Sequence, residues 1–196
     1  WDFNSVPVYW ASEEISIHNT EFTCRGIPYT PNKKINQILT GKTDKNGFST
    51  RMINALKQLD TKWVIYIQED MWLLSKIPNE TISKLLLFCE TKNVDSIKIH
   101  TKLGYYYNYR LENTDYIIDE IRIQKYSDGD NFLHSHNATI WNREYLINHL
   151  LEGEDPWINE FEGSKRMSSN PHNHYHYNLH WYSQPGVCEK GEFARD

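Results

Sequence analysis

Eight residues decide the fold of this chain: Trp63-Val64-Ile65-Tyr66-Ile67-Gln68-Glu69-Asp70, an apolar run followed by Gln68 and two acids. A run that is apolar on both faces predicts an interior strand of a parallel or mixed sheet covered by helices. Ligands of open α/β sheets bind at the carboxyl ends of the strands, where Glu69 and Asp70 would lie. The stretch therefore predicts a layered α/β fold and the position of its functional site.

Helix and strand patterns alternate around this stretch. A helix is expected from about Ser49, a candidate N-cap, to Leu59, with apolar residues on one face. A second helix is expected from Pro78-Asn79-Glu80 to about Lys92, followed by a strand over 96–100. Together with a short strand within residues 5–12, this order of elements is typical of α/β proteins.

The remaining segments carry weaker patterns. Residues 13–47 are polar, contain several glycines and prolines, and are expected to be mostly loops. A hairpin arm is expected within 116–126, a short strand at 138–141, and a helix over 143–151 that Gly153 closes.

Composition limits the class of protein. A chain of 196 residues fits one domain, and its aromatic fraction of 14% can supply a core although the hydrophobic fraction is only 39%. The net charge of −5 argues against a nucleic-acid partner. Three widely spaced cysteines without a CxxC pair suit a reducing compartment, so a cytoplasmic location is expected. No apolar run is long enough to predict a transmembrane segment.

The adjacent carboxylates of Glu69 and Asp70 suggest a metal site. Two neighbouring negative charges repel each other and need solvent or a cation between them. Mg²⁺ and Mn²⁺ prefer oxygen ligands, usually one or two carboxylates together with substrate phosphate oxygens. Because apolar residues 71–74 resume directly after the pair, a merely solvated turn is the weaker interpretation.

Two blocks of the sequence resemble glycosyltransferases of the GT-A fold. In the first, the helix that begins near Phe48-Ser49-Thr50-Arg51 leads into the strand that ends at Glu69-Asp70, a place where the family has an acidic metal-binding motif. The second block is more specific, and it comprises residues 138–146 (Ala-Thr-Ile-Trp-Asn-Arg-Glu-Tyr-Leu) and 152–160 (Glu-Gly-Glu-Asp-Pro-Trp-Ile-Asn-Glu). It is similar to a block found in bacterial and large-virus enzymes of this type, and the resemblance covers roughly residues 1–165.

The resemblance implies a single glycosyltransferase domain over 1–196, with a mixed sheet flanked by helices, that lacks the family's first strand and helix. It implies a nucleoside-diphosphate sugar as donor, a glycan or other hydroxyl as acceptor, and Mn²⁺ or Mg²⁺ as cofactor. Since the motif here is Gln68-Glu69-Asp70 and not Asp-X-Asp, Asp70 is favoured as the metal ligand, with Glu69 contributing directly or through water. Glu160 is the candidate general base of an inverting transfer, with Asp155 as its substitute.

Further residues are candidates for binding the donor phosphate, the metal or the acceptor. Ser49 and Arg51, at a helix N-terminus, are candidates for binding donor phosphate, although an N-cap serine and an exposed arginine explain them equally well. The alternating residues His172, His174 and His176, with His180, could supply one metal ligand; a dedicated zinc site is less favoured. The acceptor site is expected to involve Tyr105–Tyr109, His134 and His136.

Three alternatives remain open at this stage. A carbohydrate-binding module would explain the aromatic residues without a metal, but it predicts a mostly β chain. A glycoside hydrolase would need two carboxylates paired across a sugar, and no such pair stands out. An inactive, truncated transferase is the third alternative, because the family's first strand and helix are missing.

Overall fold

The computed structural model describes residues 7–13, 22–24, 27–29, 35–43, 47–68, 79–100, 110–128, 130, 132–179, 188–189 and 192–193. The chain divides into two compact units, one made of Trp1–Asp60 with Leu150–Asp155, the other of Thr61–His149 with Pro156–Asp196. None of the described helices is long and apolar enough to cross a membrane. The expectations of a single domain and of a cytoplasmic location stay predictions.

The first unit contains four strands and one helix among its described residues. They are β1 (Val8–Ser12), β2 (Phe22–Cys24), β3 (Ile27–Tyr29), β4 (Ile35–Leu39) and α1 (Phe48–Lys57). β1 pairs with β4 in parallel, and β2 pairs with β3 in antiparallel orientation. Residues 13–47 were expected to be mostly loops, and the structure adds three short strands within them that were not predicted.

Helix α1 confirms the expected helix but not its expected N-cap. The N-cap residue is Gly47, which makes no side-chain capping hydrogen bond, and the helix starts one residue before Ser49. A side chain at position 47 would overlap the side chain of Thr43, which packs directly against the glycine backbone and explains glycine at this position. Ile53 and Leu56, two of the residues predicted for the apolar face, are buried.

The second unit is built on a mixed six-stranded sheet with three described helices. Its elements are β5 (Trp63–Tyr66), α2 (Asn79–Lys92), β6 (Ser96–Ile99), β7 (Leu111–Ile118), β8 (Ile121–Tyr126), β9 (Thr139–Asn142), α3 (Arg143–His149), α4 (Pro156–Ser168), β10 (His174–Tyr177), β11 (Cys188–Glu189) and β12 (Glu192–Phe193). The strand order is β5-β9-β6-β10-β8-β7, while β11 and β12 form a separate antiparallel pair. The predicted α/β class is confirmed as a mixed α/β fold.

Strand β5 differs from its prediction in one respect. Its four residues are only half-buried, and β5 is an end strand of the six-stranded sheet as far as the described residues define it. The apolar run was expected to indicate an interior strand. The run instead forms an end strand with large side chains. The prediction failed because apolar composition alone does not distinguish an interior strand from an end strand.

The hairpin of β7 and β8 shows how the sheet is tied to α2. Its two-residue turn, Asp119 and Glu120, has positive φ at both positions (45° and 65°), as tight β-hairpin turns often require. The Asp119 carboxylate accepts hydrogen bonds from Thr81 Oγ1 and Lys84 Nζ of α2, each at 2.6 Å. These contacts offset the strain of a turn that contains no glycine.

Candidate active site

Three strands of the six-stranded sheet end on the same side, so that their carboxyl ends form one edge of the sheet perpendicular to the strands. β5 and β6 are both antiparallel to β9, and β10 is parallel to β6, so the three strands run in the same direction. Their last residues, Tyr66, Ile99 and Tyr177, therefore lie at the edge where β9 begins. Glu69 and Asp70 lie outside the described residues, which resume at Asn79 after ending at Gln68.

The two faces of this sheet differ in chemistry because side chains alternate along each strand. One face is largely apolar, and Phe88 of α2 packs against it with its ring 5.2 Å from that of Tyr175. The cross-strand register places polar and aromatic side chains on the opposite face: Tyr66, Ser96, Lys98, Gln124, Thr139, Trp141, His174 and His176. Lys98, Ser96, Thr139, His174 and His176 are buried there. Buried polar groups of this number need specific partners.

Glu160 lies on α4 and faces this polar region. Its Oε1 atom accepts a hydrogen bond of 2.6 Å from the backbone N–H of His136. The His136 ring meets the ring of Tyr66 edge-on, with 5.9 Å between centroids. Glu160 is thereby linked through one residue to the last residue of β5, three positions before Glu69.

The environment of Glu160 favours a carboxyl group that holds its proton more tightly than usual. Burial raises its pKa, while the His136 N–H and the positive charge of Lys98 act in the opposite direction. A carboxylate with a raised pKa is a stronger base, and such groups concentrate in functional sites. The location and chemistry of Glu160 are therefore compatible with the predicted proton-accepting role.

The segment that carries His136 is held along α4 by a repeated pattern. The Ser164 hydroxyl accepts a hydrogen bond from His134 N–H (3.0 Å), and Glu160 accepts one from His136 N–H. Because residues 160 and 164 are one turn apart on the same helix face, both can accept hydrogen bonds from this segment, at its N–H groups of residues 136 and 134. Sequence reasoning did not find this helix, although Pro156 at its first position was an available signal.

Gly163 lies between these two positions and lets the His134 ring pack against α4. A Cβ atom at position 163 would overlap the ring at Nδ1. The same ring meets His136 and Trp141 edge-on, at centroid distances of 5.3 and 5.6 Å, and His134 is only 1% exposed. The ring is thus enclosed on several sides and has little room to move aside.

We expect Gly163→Ala to destabilise the protein by about 1–3 kcal/mol, because the added methyl group displaces the enclosed His134 ring. Helix propensity alone predicts the opposite sign, a gain of up to about 1 kcal/mol. Urea denaturation at neutral pH measures the difference. The neighbouring change Glu162→Ala, at a more exposed position, should alter stability by less than about 0.5 kcal/mol. A stabilised Gly163→Ala variant would contradict the packing described for His134.

Lys98 is a functional candidate that the sequence did not reveal. It is 0% exposed, its Nζ donates a hydrogen bond to the carbonyl of Phe132, and the ammonium group lies 4.8 Å from the ring centroid of Tyr126. Burial lowers the pKa of Lys98 to about 7, while the charges of Asp130 and Glu160 act to raise it. The alternating sequence of this strand, Ser-Ile-Lys-Ile, did not predict that the lysine is buried.

The histidines on and next to β10 belong to the polar face of the sheet. His174 and His176 alternate on β10 as predicted, and His172 precedes the strand with its ring 5.1 Å from that of His174. His174 hydrogen-bonds through Nδ1 with Ser96 Oγ (2.8 Å) and through Nε2 with Tyr145 Oη (3.1 Å). Both of its nitrogens are therefore engaged within the protein. His180 and Tyr105–Tyr109 lie outside the described residues.

Across the described ranges, no group of three or more His, Cys, Asp or Glu side chains is arranged to hold a metal ion. The carboxylate oxygens of Glu69 and Asp70 fit Mg²⁺ or Mn²⁺ by ligand type. Their assignment as metal ligands stays a prediction.

Ser49 and Arg51 belong to the first unit, where they contact protein groups. The buried Ser49 hydroxyl donates to Leu151 O (2.5 Å) and accepts from Glu154 N–H (2.9 Å). Arg51 forms an ion pair with Glu13 (3.0 Å) and donates to Thr43 Oγ1 (2.5 Å). These contacts give both residues a structural role, and their predicted binding of donor phosphate stays a prediction.

Comparisons of the chain with protein-family models, with curated proteins and with solved structures find no match.

Proposed function

We propose that this protein is a glycosyltransferase that moves a sugar from a nucleoside-diphosphate sugar to an acceptor hydroxyl. The observation that carries the proposal is the position of Glu160, whose carboxylate meets His136 N–H while the His136 ring contacts the end of β5. A carboxylate in this position, near the end of β5, supports the proposal that Glu160 acts as the base beside the predicted metal site. The sequence blocks that resemble GT-A enzymes give the same two positions, the acidic pair and Glu160.

In the proposed reaction, the oxygen of the acceptor hydroxyl attacks the anomeric carbon of the donor sugar. Glu160 takes the proton of that hydroxyl as the new carbon–oxygen bond forms. The bond between the anomeric carbon and the diphosphate oxygen breaks, and its electron pair leaves with the diphosphate. One base on the acceptor side corresponds to inversion at the anomeric carbon.

Asp70, with Glu69 beside it, is proposed to hold a divalent cation. The bound cation would neutralise the charge that develops on the leaving diphosphate.

The main alternative is a carbohydrate-binding module without catalytic activity. Such a module was expected to be mostly β, whereas the described residues include helices of 10, 14, 7 and 13 residues. The glycoside hydrolase and inactive-transferase alternatives are separated from the proposal by donor binding and turnover.

Donor binding provides the direct test of the proposal. Calorimetric titration with UDP-, GDP- and dTDP-sugars should detect binding of one nucleotide class in the presence of Mn²⁺. Removal of the metal, or Asp70→Ala, should weaken that binding by about 10–100-fold, since either the proposed cation or one of its ligands is lost. Asp60→Ala changes an exposed acid shortly before β5 and should leave affinity unchanged. Absence of binding, or binding that ignores both the metal and Asp70, would overturn the proposal.

A further inference from the structure

The polar face contains a fully buried lysine whose hydrogen-bond acceptor belongs to the same segment that binds Glu160. Lys98 Nζ donates to Phe132 O, and four residues later His136 N–H donates to Glu160. Between them, His134 N–H donates to Ser164. The segment 132–136 is therefore fixed at one end by the sheet and along its length by α4.

The charges around Lys98 explain why an ammonium group can occupy this position. The negative charges of Asp130 and Glu160 both favour the charged form of Lys98. Asp130 is buried, and its oxygens accept hydrogen bonds from Arg110 N–H and Phe132 N–H, both at 2.8 Å. Asp130 is thereby held by backbone groups. Glu160 contributes one hydrogen bond to a backbone N–H through Oε1 and is the acid that the proposed reaction uses.

An aromatic ring and two histidines of the described part of the chain also act on or are affected by Lys98. The ring of Tyr126 lies beneath the ammonium group. The positive charge of Lys98 acts to lower the pKa of His134 and His174, which burial already holds well below the ordinary value. Among the described residues, Asp130 and Glu160 supply negative charge that acts on Lys98.

We propose that Lys98 is a positioning residue for Glu160: through its hydrogen bond to Phe132 O it fixes the segment that holds the Glu160 carboxylate, and it places a positive charge in the same polar region. The proposal rests on the role assigned above to Glu160 for its functional meaning, but its two structural parts are measurable without turnover. A charge in a buried region acts over several ångströms with little screening, so loss of the ammonium group must alter the neighbouring acid.

Two substitutions separate the two parts. Lys98→Met removes both the hydrogen bond to Phe132 O and the charge. Lys98→Gln removes the charge but retains an N–H donor for that carbonyl. Lys57→Met, at an exposed position on α1, is the matched control.

The first measurement is the titration of the Glu160 carboxyl carbon by NMR of ¹³C-labelled protein, with Glu160→Gln used for assignment. Both Lys98 variants are expected to move its midpoint upward by about one pH unit, and the Lys57 control should leave it in place. The second measurement is amide exchange at His136. Protection should fall about tenfold or more in Lys98→Met and be largely retained in Lys98→Gln.

An unchanged Glu160 midpoint in a folded Lys98 variant would overturn the electrostatic part, and unchanged His136 protection in Lys98→Met would overturn the positioning part. If Lys98→Met does not fold, the Lys98→Gln titration still decides the electrostatic part, and equal loss of His136 protection in Lys98→Gln would count against the positioning part. A protein that binds no nucleotide sugar but shows both effects would lose its proposed function while the Lys98–Glu160 coupling stands.

Discussion

Replacing Glu160 by glutamine is expected to lower the turnover of sugar transfer by about 10²–10⁴-fold and to leave donor affinity unchanged. Glutamine cannot take the proton of the acceptor hydroxyl at neutral pH. Its side-chain carbonyl can still accept the hydrogen bond from His136 N–H that Glu160 makes at 2.6 Å. The substitution therefore removes the chemistry while keeping the local structure.

The same helix provides the control for this experiment. Glu162 is two residues away and forms an ion pair with Lys165 (2.8 Å), with 45% of its side chain exposed. Glu162→Gln should leave both turnover and donor binding unchanged, because surface ion pairs contribute little. Turnover is measured as release of nucleoside diphosphate with the donor identified by titration.

A second variant at position 160 distinguishes a catalytic role of Glu160 as a base from a structural role. Glu160→Ala removes the acceptor for His136 N–H and should lower both turnover and stability, the latter by about 1–3 kcal/mol. If Glu160→Gln retains normal turnover while Glu160→Ala loses stability, Glu160 holds the 132–136 segment and is not the base. Asp155→Asn would then be the next substitution to test, since Asp155 was the substitute candidate.

The sequence predicted those elements whose pattern is local. Helices α1 and α2 and strands β5, β6 and β9 correspond to segments with helical, alternating or continuously apolar patterns. Such patterns arise because each element must present one consistent face to the core. Over 116–126 the sequence indicated one arm of a hairpin, whereas the structure has the hairpin turn itself within this segment, at Asp119 and Glu120. Strands β2 to β4 were not predicted, because they lie within the polar stretch 13–47, where glycines and prolines indicate loops.

The candidate site was predictable in part, for a physical reason. Glu160 was proposed from a resemblance, and its role stays a prediction. Its contact with His136 could not be predicted, because that hydrogen bond joins residues 24 positions apart. Lys98 was missed because a lysine in an alternating strand normally reaches solvent. Its burial results from the covering segment 132–136 and α4, which sequence periodicity along β6 does not contain.

The protein is also expected to lose most of its stability between pH 7 and pH 5. Burial holds the pKa of His134 and His174 well below the ordinary value and lowers that of His136 to about 4. Below pH 6.5 the unfolded chain therefore binds protons that the folded chain refuses. Stability contributed by these histidines is present above that pH and is lost as the pH falls toward their folded pKa values.

The expected size follows from proton linkage. Each histidine that stays neutral in the fold lowers the unfolding free energy by up to about 1.4 kcal/mol per pH unit below pH 6.5, or roughly 2 kcal/mol at pH 5. Burial raises the pKa of Glu160 and Asp95, so these two acids favour the folded state at low pH and offset part of the loss. Three buried histidines still outweigh them between pH 6.5 and 5, and the total approaches the whole stability of an ordinary domain.

Urea denaturation at pH 7.5, 6.5, 5.5 and 5.0 measures this slope, and His136→Phe identifies one of its sources. Phenylalanine preserves a ring against Tyr66, which His136 meets at 5.9 Å, but it cannot take up a proton. Phenylalanine also cannot make the contact between His136 Nε2 and Pro156 O (3.3 Å), so the unfolding free energy of the variant should be lower by about 1 kcal/mol at pH 7.5. Below pH 6.5 the stability of this variant should fall less steeply than that of the parent, by about one proton's contribution. An unfolding free energy that stays flat from pH 7.5 to 5.0 would mean that these histidines gain protons within the folded protein, and the enclosed packing around His134 and His174 would then have to be abandoned.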